Sequence, residues 1–287
     1  MRAIQRNLIA VKNAAKKAAQ SAGVYPIARH AYQALNPSIR RLENKRLHFF
    51  SKIVQPDNLV FDIGANVGQM SSLLLKLGAR VVSLEPNKLC HPALQYQCGK
   101  NPDFSLVEKA VSNEPGMATL HFEGTASTAS LRSDWEWLKP RKNRTVQTCD
   151  VPVTTIDALI AEYGLPDYCK IDVEGFELEC IQGMSQPVPL LSFEYHRAEL
   201  RNARACLEAL SKLSPIATNI TTLDHAEFAF ADWRSSDETI SYIFDNPAIH
   251  AGDIFVRSAI SNQTSDAAEM AGIQSTGVKM TSSSSLS

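Results

Sequence analysis

The chain reads Val60-Phe61-Asp62-Ile63-Gly64-Ala65-Asn66-Val67-Gly68 at the point that decides its fold. The apolar run at 59–63 predicts a short buried strand. After Gly68 apolar residues recur at helical spacing, at Met70, Leu73, Leu74 and Leu77, and Gly78 is placed to end that helix. The stretch therefore predicts a strand, a glycine turn and a helix, which together open a βαβ unit.

Short apolar runs continue to alternate with helical patterns, which indicates an α/β fold with a mostly parallel sheet. Strands are predicted at 80–85, 104–111, 167–172 and 189–196, extended segments at 117–123 and 146–153, and closing antiparallel strands near 216–222, 226–231 and 253–258. Helices are predicted at 156–163, 175–184 and from Leu200 to Leu210. Thr154 and Asp157 stand in capping-box register at the start of the first of these helices.

The turn after the first strand has the features of a nucleoside-binding site. Its glycines let a ligand approach the backbone, and Glu85, at the end of the next strand, can accept hydrogen bonds from both ribose hydroxyls. A dinucleotide fingerprint needs glycine two residues after Gly64, where Asn66 stands instead. Asp62 would repel phosphates but suits an ammonium group. The pattern favours S-adenosylmethionine, which has no phosphate, over NAD; a tight turn without a ligand is the alternative for the glycines alone.

A second group of polar residues follows the strands predicted at 167–172 and 189–196. Asp172 ends the first of these strands and Glu174 follows it, while Glu194 and His196 end the second and point to the same side. Ligands of open α/β sheets bind at this edge, so we expect the four side chains to converge. We interpret His196 or Glu194 as a general base, and Asp172 as the residue that positions the acceptor or the ammonium group of the cofactor.

Two alternatives stay open for these acids. A divalent cation of the magnesium type, held by Asp172 and Glu194, is possible but not favoured, because paired carboxylates at strand ends are also common without a metal. A purely structural role is the other, since acids such as Glu174 and Glu177 are stabilised in the first turn of a helix. We predict no metal ligands, and the six Cys and seven His form no zinc pattern.

Four phrases stand at the ends of predicted strands: VFDIGANVGQ at 60–69, SLEPN at 83–87, KIDVEGFE at 170–177 and SFEYH at 192–196. Together they resemble the FkbM family of S-adenosylmethionine-dependent methyltransferases over roughly residues 55–200. The resemblance implies a Rossmann-like (class I), doubly wound sheet of seven strands, mostly parallel with an antiparallel last strand. It also implies methyl transfer to a hydroxyl, often of a sugar, a glycolipid or a secondary metabolite.

The resemblance further implies roles for the cofactor-side residues. Those that would line the methionine side of the cofactor are Asp62, Gly64, Asn66 and Gly68. Glu85 would hold the ribose, and the turn Ala110-Val111-Ser112 would flank the adenine. Members of the family vary in the segment that corresponds to 124–146, so the resemblance implies no substrate contacts.

The charge is unevenly distributed along a chain whose formal net charge is −1. Residues 1–50 carry ten Lys or Arg and one acid, a net charge of +9, and the remainder carries −10. We divide the chain into a basic helical arm (1–50), an FkbM-type methyltransferase domain (51–258) and a disordered Ser-rich tail (259–287). The amphipathic pattern at 1–20 fits a helix on an anionic membrane, a transit peptide or a helix that packs on the body.

The composition excludes a collagen-like, wholly disordered or disulfide-scaffold protein. Cysteines without a CxxC pair indicate a reducing compartment, so we expect a cytoplasmic protein, with peripheral membrane contact through residues 1–24 as an option. Trp135 and Trp137 stand among basic residues, a mixture that fits a nucleic-acid surface, a lid over a glycan or a solvated charged loop; we expect the charged loop and no nucleic-acid partner. No apolar stretch reaches the ~20 residues of a membrane-spanning helix.

We therefore expect an S-adenosylmethionine-dependent O-methyltransferase that acts on a hydroxyl of a carbohydrate, a glycolipid or a small metabolite. An oxidoreductase that uses NAD or a nucleotide sugar is the alternative enzyme, which Asn66 disfavours. A non-catalytic membrane- or RNA-associated module with a methyltransferase fold is the third hypothesis. The acids at both groups of strand ends disfavour it.

Overall fold

The computed structural model describes residues 37–123, 129–134, 146–222 and 227–259. Three features discussed above lie outside these residues: the amphipathic pattern at 1–20, the Trp135 segment and the Ser-rich tail from 260 onward. Among the described helices, none has the length and apolar character needed to cross a bilayer.

The described residues form seven α-helices and eleven strands. The helices are α1 (Pro37–Phe50), α2 (Gln69–Lys76), α3 (His91–Cys98), α4 (Ile156–Tyr163), α5 (Glu177–Gln182), α6 (Leu200–Leu213) and α7 (Ser236–Asp245). The strands are β1 (Leu59–Ile63), β2 (Arg80–Leu84), β3 (Phe104–Val107), β4 (Ala110–Val111), β5 (Gly116–Glu123), β6 (Ala129–Ser130), β7 (Val146–Thr154), β8 (Tyr168–Ile171), β9 (Leu190–His196), β10 (Ile216–Ile220) and β11 (Ala251–Ser258). A 3₁₀ turn, Arg197–Glu199, joins β9 to α6.

The main sheet has seven strands in the order β10-β11-β9-β8-β1-β2-β3. The pairs β1 with β2, β2 with β3, β1 with β8 and β8 with β9 are parallel, and β11 is antiparallel to both of its neighbours. This confirms the expected class I methyltransferase sheet with an antiparallel last strand. The carboxyl ends of β1, β2, β8 and β9 therefore meet at one edge.

Helices cover both faces of the main sheet. One apolar cluster joins it to α4, α5, α6 and α7, and a second joins it to α1, α2 and α3. All five residues of β1 are buried, as expected for a strand covered on both sides. Phe49 and Phe50, at the end of α1, are buried against Tyr168 and Phe255, so the end of the predicted basic arm belongs to the core.

A second sheet of four strands, in the order β4-β7-β5-β6, stands beside the first. It contains the two extended segments predicted at 117–123 and 146–153, and it takes β4 from the strand predicted at 104–111, which is in fact split. The strand expected at 226–231 is wrong: the described part of that segment is not a strand, and helix α7 follows it.

Some predicted helix boundaries also shift. The capping residue of α4 is Thr155 rather than Thr154, and its side chain accepts the Ala158 N–H at 3.1 Å. Helix α5 begins only at Glu177, which leaves Glu174 in the preceding loop. Helix α3 was not predicted, because its eight residues show little segregation of apolar from polar side chains.

Candidate active site

An open cavity lies at the carboxyl edge of the main sheet, where β1, β2, β8 and β9 end. Its volume is about 180 Å³. The second sheet forms its opposite wall through residues of β4, β5 and β6. Seven of the predicted site residues line this cavity: Gly64, Asn66, Glu85, Ala110, Asp172, Glu174 and Glu194.

The glycine turn gets its shape from contacts within the protein. Gly64 has a φ of +85°, and a Cβ there would lie 1.8 Å from the carbonyl oxygen of Asp172. Asn66 has a φ of +51°, a left-handed conformation that Asn tolerates better than most residues. A Cβ on Gly68 would lie 2.4 Å from Leu94 Cδ1. Gly68 therefore shapes the turn from outside the cavity lining, while Gly64 brings the ends of β1 and β8 together.

Glu85 presents a buried carboxylate to the cavity from just beyond β2. One oxygen accepts the N–H of Asn66 and the other that of Asn87, each at 2.7 Å. Burial raises the pKa of Glu85 to about 7. Because a carboxylate has about four acceptor positions, both oxygens retain capacity for further donors. This set of acceptors fits the two hydroxyls of an adenosine ribose.

Two predicted cofactor-side residues lie behind the lining. Asp62 is 1% exposed, and its carboxylate accepts a hydrogen bond of 2.5 Å from the Ser71 hydroxyl. Burial raises its pKa. Ser112 donates its hydroxyl to Asn113 Oδ1 at 3.0 Å, so its side chain is engaged outside the cavity, while Ala110 and Val111 form part of the wall.

The four predicted catalytic residues converge on the other side of the cavity. Asp172 is 37% exposed and accepts the Lys170 ammonium at 2.7 Å. Glu194 and His196 are in contact, with 3.2 Å between Glu194 Oε2 and His196 Nε2. One carboxylate oxygen of Glu174, one of Glu194 and one ring nitrogen of His196 all lie within 4.8 Å of one another. His196 thus reaches the cavity only through Glu194.

The pKa values of this pair are shifted toward protonation. Burial and then the charge of Asp172 raise the pKa of Glu194, against the opposing effects of His196 and Lys170. The hydrogen bond with Glu194 raises the pKa of His196, in spite of burial. Both shifts favour the protonated forms, so the pair binds a proton more readily than the two side chains would apart from each other, and taking up a proton is the task of a general base.

The sequence analysis did not predict the hydrogen bonds that hold the loop after β8. Glu177 is buried and accepts the backbone N–H groups of Gly175 and Val173 at 3.0 and 3.3 Å, and burial raises its pKa to about 7. From the second sheet, the Ser130 hydroxyl donates to the Glu174 carbonyl at 2.8 Å. The acid within KIDVEGFE was a readable signal, whereas the contact of Ser130 depends on tertiary structure.

The sequence profile of the methyltransferase FkbM domain matches residues 62–232. The match takes in more than half of the chain and both sides of the cavity. The chain belongs to the FkbM methyltransferase family. It is accordingly an S-adenosylmethionine-dependent methyltransferase, as the sequence phrases predicted. None of the curated proteins matches the chain.

Solved structures of several methyltransferases are similar to the chain at low identity. A precorrin-6y C5,15-methyltransferase from Geobacter metallireducens is 14% identical, with a TM-score of 0.39, over 75% of this chain and 87% of that one. An rRNA methylase from Streptococcus thermophilus is 8% identical, with a TM-score of 0.40, over 74% and 93%. A dimethyladenosine transferase from Plasmodium falciparum is 10% identical, with a TM-score of 0.36, over 79% and 62%. These values are too low to bear on the substrate.

Proposed function

We propose that this FkbM methyltransferase is an O-methyltransferase that transfers a methyl group to a hydroxyl of a carbohydrate, a glycolipid or a small metabolite. The observation that carries the proposal is the Glu194–His196 pair, which lies beside Asp172 at the cavity opposite Glu85. A sugar or alkyl hydroxyl is a weak nucleophile and must lose its proton as it reacts. The pair offers a base for that proton.

The residues present fit S-adenosylmethionine on the Glu85 side. We assign Glu85 to the ribose hydroxyls, the Ala110–Val111 wall to the adenine, and Gly64 with Asn66 to the methionine portion. S-adenosylmethionine supplies a methyl group on a positively charged sulfur. In the mostly negative cavity edge formed by Asp172, Glu174 and Glu194, such a cation is stabilised.

On the acceptor side, each residue has a distinct task. Glu194 lines the cavity and accepts the proton of the attacking hydroxyl, and His196 shares that proton through their contact of 3.2 Å. Asp172, held by Lys170, positions the acceptor by a hydrogen bond from a second hydroxyl. Three carboxylates at this edge would repel a phosphate or a carboxylate close to the reacting oxygen, so the acceptor is neutral or cationic near the methylated position.

Calorimetric titration with S-adenosylhomocysteine and with NADH tests the cofactor. We expect heat from S-adenosylhomocysteine and none from NADH. Binding of NADH alone would contradict the proposal and favour the oxidoreductase alternative. Mass spectrometry of glycans, glycolipids and small hydroxylated metabolites incubated with enzyme and S-adenosylmethionine then tests the acceptor. A gain of one methyl mass on oxygen supports the proposal, while methylation of nitrogen or carbon contradicts it. Glu194→Gln is the matched control, since it should bind cofactor without transfer.

The proposal extends to location and partners. We propose a cytoplasmic enzyme whose basic arm (1–50), the end of which packs in the core, contacts an anionic membrane through residues 1–24; a catalytic domain (51–258) and a tail (259–287) follow. Support comes from the net charge of +9 in the arm and from exposed basic residues on α1, namely Arg40, Arg41 and Lys45. Flotation with anionic liposomes should require residues 1–24. Equal flotation of the full chain and a chain lacking these residues contradicts the membrane contact.

A further inference from the structure

Lys170 is a buried cation directly beneath the acceptor side of the cavity. It is 3% exposed within β8, and its ammonium donates to Asp172 Oδ2 at 2.7 Å. Residues two apart on a strand share a face, so the lysine approaches Asp172 from inside the sheet. Asp172 meets the cavity with its remaining exposed surface. Burying an ammonium group is costly unless it is paired, so this contact is a specific feature of the site.

The neighbours of Lys170 are mostly acids. Asp62 stands in register with it on β1, and the charges of Asp172, Asp253 and Asp62 raise its pKa well above the usual value, although burial alone would lower it. Tyr168, on the same strand, also faces it. Arg46 of α1, which is half-buried, also lies near Asp62 and Asp253. One lysine therefore balances acids on both sides of the strand that ends in the site.

We propose that Lys170 is a positioning residue for methyl transfer: its ammonium fixes the orientation of the Asp172 carboxylate and offsets the negative charge of Asp172 and Glu194 at the cavity. The lysine acts through these two carboxylates and has no contact of its own with the acceptor. The inference rests on the proposed function, because it takes the Glu194–His196 pair as the group that receives the proton of the hydroxyl.

The role has a measurable consequence for the Glu194–His196 pair. Within the described part of the chain, the charged or titratable groups that face the pair include Asp172, Lys170, Glu174, Glu177 and, across β11, Asp253. Among these, Lys170 lowers the pKa of Glu194 and Asp172 raises it. Removing Lys170 should therefore shift protonation of the pair to higher pH, and neutralising Asp172 should shift it to lower pH.

Two cofactor analogues report this protonation without an acceptor. Sinefungin carries an amine where S-adenosylmethionine has its methylated sulfur, and S-adenosylhomocysteine is neutral there. The affinity for sinefungin divided by the affinity for S-adenosylhomocysteine should fall at low pH, because the protonated pair attracts the amine of sinefungin less strongly. In Lys170→Met we expect the midpoint of this fall to rise by about one pH unit. In Asp172→Asn it should move downward.

The controls separate positioning from structure. Tyr168→Phe removes the buried hydroxyl that contacts Ser192 at 2.7 Å on the same strand and face, and it should leave the midpoint unchanged. The double variant Lys170→Met/Asp172→Asn leaves less unbalanced charge in the core than Lys170→Met alone. If Lys170→Met does not fold, the double variant is compared with Asp172→Asn instead. The midpoint of the double variant should lie above that of Asp172→Asn.

An equal loss of affinity for both analogues with an unchanged midpoint would overturn the role of Lys170. That result is distinct from failure of the proposed function. If no hydroxyl acceptor gains a methyl mass, the O-methyltransferase proposal fails while the analogue midpoints still report the charge of the site.

Discussion

The two sides of the cavity are built in different ways. Most of the cofactor side comes from one stretch of chain, in which the Asn66 N–H joins the turn from Gly64 to Gly68 to the carboxylate of Glu85; Ala110 and Val111 complete this side. The acceptor side collects Ser130, Asp172 and Glu194 from different strands and two sheets. Backbone geometry therefore controls the first side, and side-chain charge controls the second. Substitutions on the first side should therefore act through backbone geometry, and substitutions on the second side should act through charge.

The largest expected effect comes from Gly64→Ala, because Gly64 lies where the cofactor side contacts the acceptor side. The added Cβ would overlap the Asp172 carbonyl oxygen at 1.8 Å, at a φ of +85°. We expect a loss of about 3 kcal/mol or more in the free energy of unfolding, together with loss of S-adenosylhomocysteine binding. Denaturant unfolding and calorimetry measure both.

Gly116→Ala is the matched control for this change. A Cβ at position 116 would meet nothing within 4 Å, so stability and cofactor binding should stay close to those of the wild type. If Gly64→Ala behaved like Gly116→Ala, the close approach of β1 to the loop after β8 would not be a constraint on the fold.

Glu85→Ala should affect the cofactor side alone. Loss of charge-assisted hydrogen bonds to the ribose should weaken S-adenosylhomocysteine binding by about 1.5 to 3 kcal/mol, measured by calorimetry. Glu108→Ala removes a largely exposed acid near the same sheet edge and should bind normally. Unchanged affinity of Glu85→Ala would remove this acid from the cofactor site.

The backbone of the cofactor side could be predicted from the sequence because its signals are local. Strand, glycine turn, helix and the acid at the next strand end all follow from periodicity and turn chemistry over a few residues. It could not assign Asp62 to a face: the pattern places this residue at a strand end, and only packing against α2 shows that its carboxylate turns to Ser71 rather than into the cavity.

On the acceptor side, the sequence predicted that the acids and His196 would converge, but it did not predict the wall that the second sheet adds to them. The spacing of Glu194 and His196 indicated a shared face, and in the structure Glu194 Oε2 and His196 Nε2 lie 3.2 Å apart. The wall that includes Ser130 and Leu131 depends on a two-residue strand paired with β5, a tertiary interaction without a sequence signature. Helix α7 was missed although its capping box, Ser235 with Glu238, is readable, because the apolar residues just before it favoured a strand.

Glu177→Gln should change how the stability of the protein depends on pH. The pKa of Glu177 is about 7 in the folded protein, above the ordinary value near 4.3, so the folded state binds more protons between these values. The stability that this group contributes is present below the ordinary pKa and is lost as pH rises through 7. Between pH 5 and 7.5 the wild type should lose about 2 kcal/mol from this source, and Gln should remove that loss.

Denaturant unfolding across this pH range measures the effect. Glu179→Gln, in the same helix, is the control for removing an acid from α5 without touching the loop that carries Glu174. If the stability of Glu177→Gln and of the wild type changed with pH at the same slope, burial of Glu177 would not govern the loop, and buried charge would not control the acceptor side.

The smallest expected effect concerns the link between the second sheet and the acceptor side. Arg132 donates to Glu199 Oε2 at 2.9 Å and to the Gly175 carbonyl at 3.3 Å, and its side chain is 27% exposed. Because such partly exposed ion pairs contribute little, a double-mutant cycle of Arg132→Met with Glu199→Gln should give a coupling energy of about 0.2 to 1 kcal/mol in unfolding. S-adenosylhomocysteine affinity should not change, since neither residue reaches the Glu85 side. A change in that affinity would mean that the two sides of the cavity are coupled through the second sheet and are not built independently.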